Sequence, residues 1–160
     1  MFQVISVAQK TQARNFWAGK VVAITGARGE LGQALIQSFR SAGAHVVGLT
    51  HSSLPKLKAD SSGPHEWQQW CCGKEEELDE LLMNLDILVL NHGINPHRCE
   101  IFTGVDTALE VNALSTWRLM RRFKELCETG TSNVNQPNRT PRELWVNTSE
   151  AEVQPCGRIV

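Results

Sequence analysis

The 160 residues carry a formal net charge of −1 and are 41% hydrophobic and 21% charged, the balance of a globular chain rather than a disordered one. That charge leaves no basic footprint for nucleic acid, and no apolar run approaches the ~20 residues of a membrane span. One domain is expected at this length.

Residues 1–19 read as an N-terminal extension or linker and residues 20–160 as the folded domain. Met1–Lys20 contains no acidic residue and carries Lys10, Arg14 and Lys20, but it is short and poor in arginine for a transit peptide. The first strand is expected at Val21–Thr25, followed by a helix from about Leu31 to Ala42 that stops at Gly43. His45–Thr50 reads as a second strand, and His51–Pro64 as a polar loop. Trp67–Cys72 reads as a third, weaker strand. Lys74–Asn84 has the spacing of an amphipathic helix, with Leu78, Leu81 and Leu82 on one face. Glu75, Glu76 and Glu77 lie in its first turn, where solvation and the helix dipole account for them. Asp86–Asn91 is a nearly all-apolar strand, as expected when both faces are covered. A loop over His92–Asp106 then leads to a long helix at about Thr107–Cys127. After a second polar loop, Glu143–Asn147 is the last strand. Strands alternating with helices imply an α/β fold, a doubly wound parallel sheet of about five strands.

Thr25-Gly-Ala-Arg-Gly-Glu-Leu-Gly32 joins the first strand to its helix, the context in which a glycine motif binds a dinucleotide. Gly26 allows the tight turn, Gly29 lets the backbone approach a pyrophosphate, and Gly32 allows close helix packing. Anionic oxygens would then face the free N–H groups of the helix N-terminus. The first, fourth and fifth strands end in Thr25-Gly26, Asn91-His92-Gly93 and Asn147-Thr148-Ser149, so polar and glycine residues gather at the edge where such a sheet binds its ligand. The five cysteines (71, 72, 99, 127 and 156) fit neither a zinc site nor a Cys-x-x-Cys motif. They point to free thiols in a reducing, cytoplasmic setting, with Cys71-Cys72 filling space at a strand end. His92 and His97 either face solvent or line a substrate pocket, and no metal set is expected.

These residues resemble the short-chain dehydrogenase/reductase family. Gly26-x-x-Gly29-x-x-Gly32 is similar to that family's glycine motif, and Asn91-His-Gly93 to its Asn-Ala-Gly, with His92 replacing alanine. Glu110-Val-Asn112-Ala resembles the helix bearing the catalytic Asn, and Val146-Asn-Thr-Ser149 the strand bearing the catalytic Ser, with Glu150 as the alternative register. The stretches Asn91–Asn95 and Trp145–Glu152 further resemble the reductase half of cyanobacterial-type proteins that also carry a sterol-desaturase-like half, of which nothing is seen here. The resemblance implies a Rossmann-like fold, hydride transfer between a nicotinamide cofactor and a small-molecule carbonyl or alcohol, and catalytic roles for Asn112 and Ser149. It implies cofactor contacts from Thr25, Gly26, Arg28, Gly29, Leu31, Gly32, Thr50, Asn91 and Gly93. NADP is expected over NAD. The second strand ends in Thr50-His51-Ser52 without the acid that bonds the ribose hydroxyls and repels a 2′-phosphate, and the Arg28 guanidinium could pair with that phosphate.

One departure bears on activity. The family's Tyr-x-x-x-Lys pair lies about a dozen residues beyond the catalytic Ser. The sequence ends at Val160 and contains no tyrosine. The expectation is a C-terminally truncated domain with little activity alone, or a non-catalytic NADP(H)-binding or partner-binding module. Leu144-Trp145-Val146 is then an open edge that invites a homo-oligomer or a partner, and the helix face bearing Trp117, Met120 and Phe123 loses its cover.

Overall fold

The computed structural model describes residues 16–54, 62–95, 101–130 and 141–148. Its sheet comprises β1 Val21–Ile24, β2 His45–Thr50, β3 Glu66–Gln69, β4 Ile87–Leu90 and β5 Glu143–Val146. All neighbours are parallel and the order is β3-β2-β1-β4-β5, the expected α/β, Rossmann-like arrangement. The chain winds outward from β1 to β3, then returns to place β4 on the other side of β1. At that reversal the connections leave in opposite directions, and a crevice opens beyond the strand C-termini.

Side chains alternate across the strands, so the sheet divides two cores. Ala23, Leu49 and Leu88 meet Leu82, Leu119 and Phe123 on one face. Val22, Ile24, Ile87 and Val89 meet Ile36 and Phe39 on the other. The latter pair belongs to α1 (Glu30–Ser41). The opposite face is covered by a 3₁₀ turn, Glu75–Leu78, that runs into α2 (Asp79–Asn84), and by α4 (Ser115–Gly130). α3 (Ile101–Leu109) precedes α4, and a π-helical turn at Glu110–Leu114 joins them.

The elements depart from expectation at several points. β3 stops at Gln69. The Trp70 N–H still donates to the Thr50 carbonyl at 3.0 Å, and Trp70 is buried, but the chain then turns away through Gly73. The loop at 92–106 contains the start of α3, where Ile101, Val105 and Leu109 recur at helical spacing. The face of α4 is not stripped. Phe123 is 3% exposed and Met120 packs on the core, leaving Trp117 outside at 55% with Arg121 stacked on its ring. The lead-in is more than a linker at its end. The Trp17 ring lies 5.2 Å from Phe39 and 5.9 Å from Trp145, covering part of β5 on the α1 face.

Glu75 is the residue least expected from its surroundings. The run of glutamates was expected to be solvated, yet Glu75 is buried. Its carboxylate accepts the Gly73 N–H at 2.9 Å and the Arg118 Nε–H at 2.9 Å, while Arg118 also pairs with Glu110. Arg122 clasps Asp79 alongside and holds that carboxyl below its ordinary value through the direct hydrogen bond. The segment expected as one helix opens instead as a 3₁₀ turn, with Glu75 turned inward at its start. Arg118→Met should cost about 2 kcal/mol by urea denaturation, because a buried carboxylate loses its counter-ion while Arg118 itself is partly hydrated. Adding Glu75→Leu should recover most of that loss.

Candidate functional site

The site begins with Thr25, at the end of β1 and fully buried. Its hydroxyl oxygen accepts the N–H of Asn91 at 2.8 Å and of His92 at 3.2 Å. One side chain thus ties the end of β1 to the loop leaving β4. A buried N–H without a partner costs about 1–3 kcal/mol, so a hydroxyl is well matched to this point.

The glycine turn rises from Thr25. Gly26 has φ +62°, and a Cβ there would stand 2.7 Å from the Asn91 carbonyl oxygen. A Cβ on Gly32 would stand 2.3 Å from the Gly26 carbonyl oxygen and 2.8 Å from Ala27 Cα. Gly32 therefore permits α1 to seat against the turn rather than against the strand itself. Gly29 differs. Its φ is −69° at the N-cap of α1, and a Cβ would meet only the Gly26 carbonyl oxygen, at 3.4 Å. The protein's own packing does not demand a glycine there. No side chain caps α1, so its first-turn N–H groups are available to an anion.

A cleft of about 1580 Å³ runs along the strand C-termini. Its walls are the turn from Gly26 to Leu31, the β2 end from Leu49 to Ser52, Trp70 to Cys72, Leu90 to Asn95, and Val146 to Thr148. Thr107, Val111, Asn112 and Thr116 close the far side. Among the sequence-predicted residues, Gly26, Arg28, Gly29, Leu31, Thr50, Asn91, Gly93 and Asn112 line it. Arg28 and Leu31 are exposed. Thr50 is buried, and its hydroxyl accepts the Ser52 N–H at 3.2 Å. Thr25 and Gly32 shape the wall from behind. Ser149 and the alternative Glu150 lie outside the described residues, as does His97. Cys71 and Cys72 are free thiols in the cleft wall, and Cys72 also packs against the core beyond the end of β3.

Asn112 sits in the π-helical turn, an arrangement often found at functional sites. Its Nδ2 donates to the Ile94 carbonyl at 2.9 Å and its Oδ1 accepts the Ile94 N–H at 2.8 Å. This two-way pairing fixes the loop after β4 against the helix, with a Cβ on Gly93 standing 3.3 Å from that Oδ1. Asn147, expected only as a polar residue at a strand end, adds a clamp: its Nδ2 donates to Asn91 Oδ1 at 3.0 Å, joining the ends of β4 and β5. Ser115 was missed in the sequence, although it lies three residues beyond Asn112, on the same helical face. It contacts His92, which is partly buried and stands in the cleft wall.

Over 140 residues the chain is 40% identical to a monoglucosyldiacylglycerol epimerase of Synechocystis, covering 86% of this chain and 33% of that protein. It is 27% identical over 138 residues to an uncharacterised short-chain type dehydrogenase/reductase of Sinorhizobium fredii, covering 76% and 25%. Among solved structures it matches a Leptospira borgpetersenii short-chain dehydrogenase with bound NAD+ at TM-score 0.60 and 21% identity, covering 81% of this chain and 52% of that one. The RhlG/NADP complex of Pseudomonas aeruginosa matches at TM-score 0.64 and 21% identity, covering 88% and 57%. The chain belongs to the short-chain dehydrogenase/reductase family. No protein-family model matches it. This short-chain dehydrogenase/reductase spans a third or less of the curated relatives above and about half of each solved structure. Among its described residues, no helix is long and apolar enough to cross a membrane.

Proposed function

We propose that these residues form the NADP(H)-binding part of an oxidoreductase, spanning residues 20–160, that moves hydride between a nicotinamide and a carbonyl or alcohol carbon. The observation that carries this reading is the contrast between the glycines. Gly26 and Gly32 are required by backbone contacts of 3 Å or less, whereas a Cβ on Gly29, at a helix N-terminus, would meet only an ordinary 3.4 Å contact. Such a position suits a pyrophosphate held by backbone N–H groups. Arg28, exposed beside it, would pair with a 2′-phosphate, and Thr50-His51-Ser52 offers no carboxylate to repel one. The cofactor would supply the hydride. This chain's part is to orient it, with the loop from Asn91 to Ile94 and the Asn112 amide holding the far wall, and Ser149 offering a hydroxyl to the substrate oxygen.

The epimerase likeness suggests a substrate class, a sugar carbinol on a lipid-linked headgroup. Inverting such a carbon needs hydride removed and then returned to the opposite face, with no net oxidation. A proton must also leave and return at the oxygen. The sequence holds no tyrosine to carry it, so we expect little turnover from these 160 residues alone.

Titration with NADPH and NADH, followed by nicotinamide fluorescence, tests the reading. Saturable NADPH binding is expected, with Arg28→Ala weakening it about tenfold through loss of a charge-assisted contact and leaving NADH nearly unchanged. Failure of both nucleotides to bind overturns it. A second reading, a non-catalytic NADP(H)-binding module with a partner on its sheet edge, is favoured by the exposed Trp145 and Val146 of β5. It predicts cofactor binding without carbonyl reduction even at saturating NADPH.

A further inference from the structure

His92 occupies the middle of Asn91-His-Gly93, between the glycine turn and the helix bearing Asn112. Both of its ring nitrogens are engaged. Nδ1 lies 2.8 Å from Thr25 Oγ1 and Nε2 lies 2.7 Å from Ser115 Oγ, with Thr116 Oγ1 at 3.4 Å from Nε2. The ring meets Trp70 edge-on, with centroids 5.3 Å apart. Donor counting selects one protonation state. Ser115 donates its only proton to the Val111 carbonyl at 2.8 Å, so it accepts from His92 Nε2–H. Nδ1 is then bare and, at 2.8 Å, accepts the Thr25 hydroxyl proton in preference to the more distant Val89 carbonyl at 3.3 Å, leaving Thr25 Oγ1 free to accept the two backbone N–H groups of Asn91 and His92. A proton on Nδ1 would make it a third donor to that one oxygen.

Resting on the cofactor reading above, we infer that His92 is a positioning residue. As the neutral Nε2–H imidazole it locks the glycine turn to the π-helical turn that carries Asn112, and so sets the width of the cofactor cleft. The lock joins β1, through Thr25, to the first residue of α4, through Ser115. Both walls then move together when it forms or opens.

Burial pushes the imidazole below its ordinary 6.5, while the nearby Val111 carbonyl and the Glu75 carboxylate pull it up. Those are the opposing groups from the helical side, with Arg118 paired to Glu75 behind. The β1 and β3 sides present the uncharged Thr25 and Trp70. Because the imidazole's value is depressed, the lock is intact at and above pH 6.5 and is lost only as pH falls through that lower, depressed value.

The test compares the full chain with His92→Ala in NADPH titrations from about pH 7.5 to about pH 5.5. The 2′-phosphate of NADPH titrates in the same range, so the readout is the difference between the two proteins. The original chain should lose affinity more steeply than the variant as pH falls below 6.5, as the competent fraction falls, and the variant should bind more weakly at the upper end. Imidazole ¹⁵N spectra of the free chain supply a second measurement that needs no variant: His92 should show Nε2–H with unprotonated Nδ1 at neutral pH. Equal pH profiles in the two proteins overturn the inference, as does an imidazolium or an Nδ1–H tautomer at neutral pH. Absence of NADPH and NADH binding at every pH instead removes the cofactor reading, and this inference with it.

Discussion

Gly32→Val should lower stability by about 3 kcal/mol, at the upper end of overpacking costs, and abolish nucleotide binding. The Cβ would begin 2.3 Å from the Gly26 carbonyl oxygen and 2.8 Å from Ala27 Cα, and neither is a flexible side chain that can swing aside. α1 must back away from the turn, loosening Ile36 and Phe39 from the sheet they cover. Gly29→Ala is the informative counterpart. Its backbone is in an extended conformation that alanine adopts freely, and its Cβ meets only an ordinary contact. Stability should therefore change by no more than about 0.5 kcal/mol, while NADPH affinity falls at least tenfold because the methyl occupies the approach to the helix N-terminus. Urea midpoints and fluorescence titrations on the same samples separate the two effects. A Gly29→Ala protein that binds as tightly as the original would remove the principal support for a pyrophosphate at this turn.

Thr25→Val should cost about 3 kcal/mol, read from the urea midpoint with the slope unchanged. Valine fills nearly the same volume, so no cavity term enters. What is lost is an acceptor for the Asn91 and His92 N–H groups, at about 1–3 kcal/mol for each buried donor left unpaired, together with the partner of His92 Nδ1. Thr25→Ser keeps the oxygen and gives up one methyl, so its loss should stay near 1 kcal/mol. If both variants lose the same amount, packing rather than hydrogen bonding governs the position. The same comparison reaches the site, because the residues released by Thr25→Val form the cleft wall against which the glycine turn sits.

Much of the fold was legible because its signals are local. Val21 to Ile24 and Ile87 to Leu90 are apolar without alternation, as strands covered on both faces must be. The glycines between β1 and α1 mark a turn whose geometry few other residues could adopt. The cleft lining was also readable, since the strand ends carry Asn91, Gly93 and Asn147 in the open. What escaped depends on long-range partners. Nothing near Glu75 distinguishes it from Glu76 and Glu77; its burial follows from Arg118, more than forty positions later. His92 looked like a loop histidine because Thr25 and Ser115, which hold it, are distant in the chain. The interruption at Glu110 to Leu114 left no trace in the residue types, because a π-turn shifts the helical phase without changing composition. Trp17 was read as part of a linker, and only the position of Phe39 and Trp145 gives that ring something to cover.

The sheet register also dictates an order of assembly. Val22 lies opposite Val46 on one side and Ile87 on the other, and Ile87 lies opposite Glu143. No two adjacent strands are joined by a hairpin, so every ladder requires the closure of a long loop before its contacts can repay the lost chain entropy. The shortest closure brings β3 to β2, 19 positions apart at Val47 and Glu66 against 24 at Val21 and His45, so that pair is the natural first step, with β1 and α1 folding onto it. β4 follows, and β5, held to a single neighbour, comes last. Until it docks, the outer rim of β4 is an unpaired template for any extended chain nearby, which makes the time spent waiting for Glu143–Val146 the interval in which self-association competes with folding.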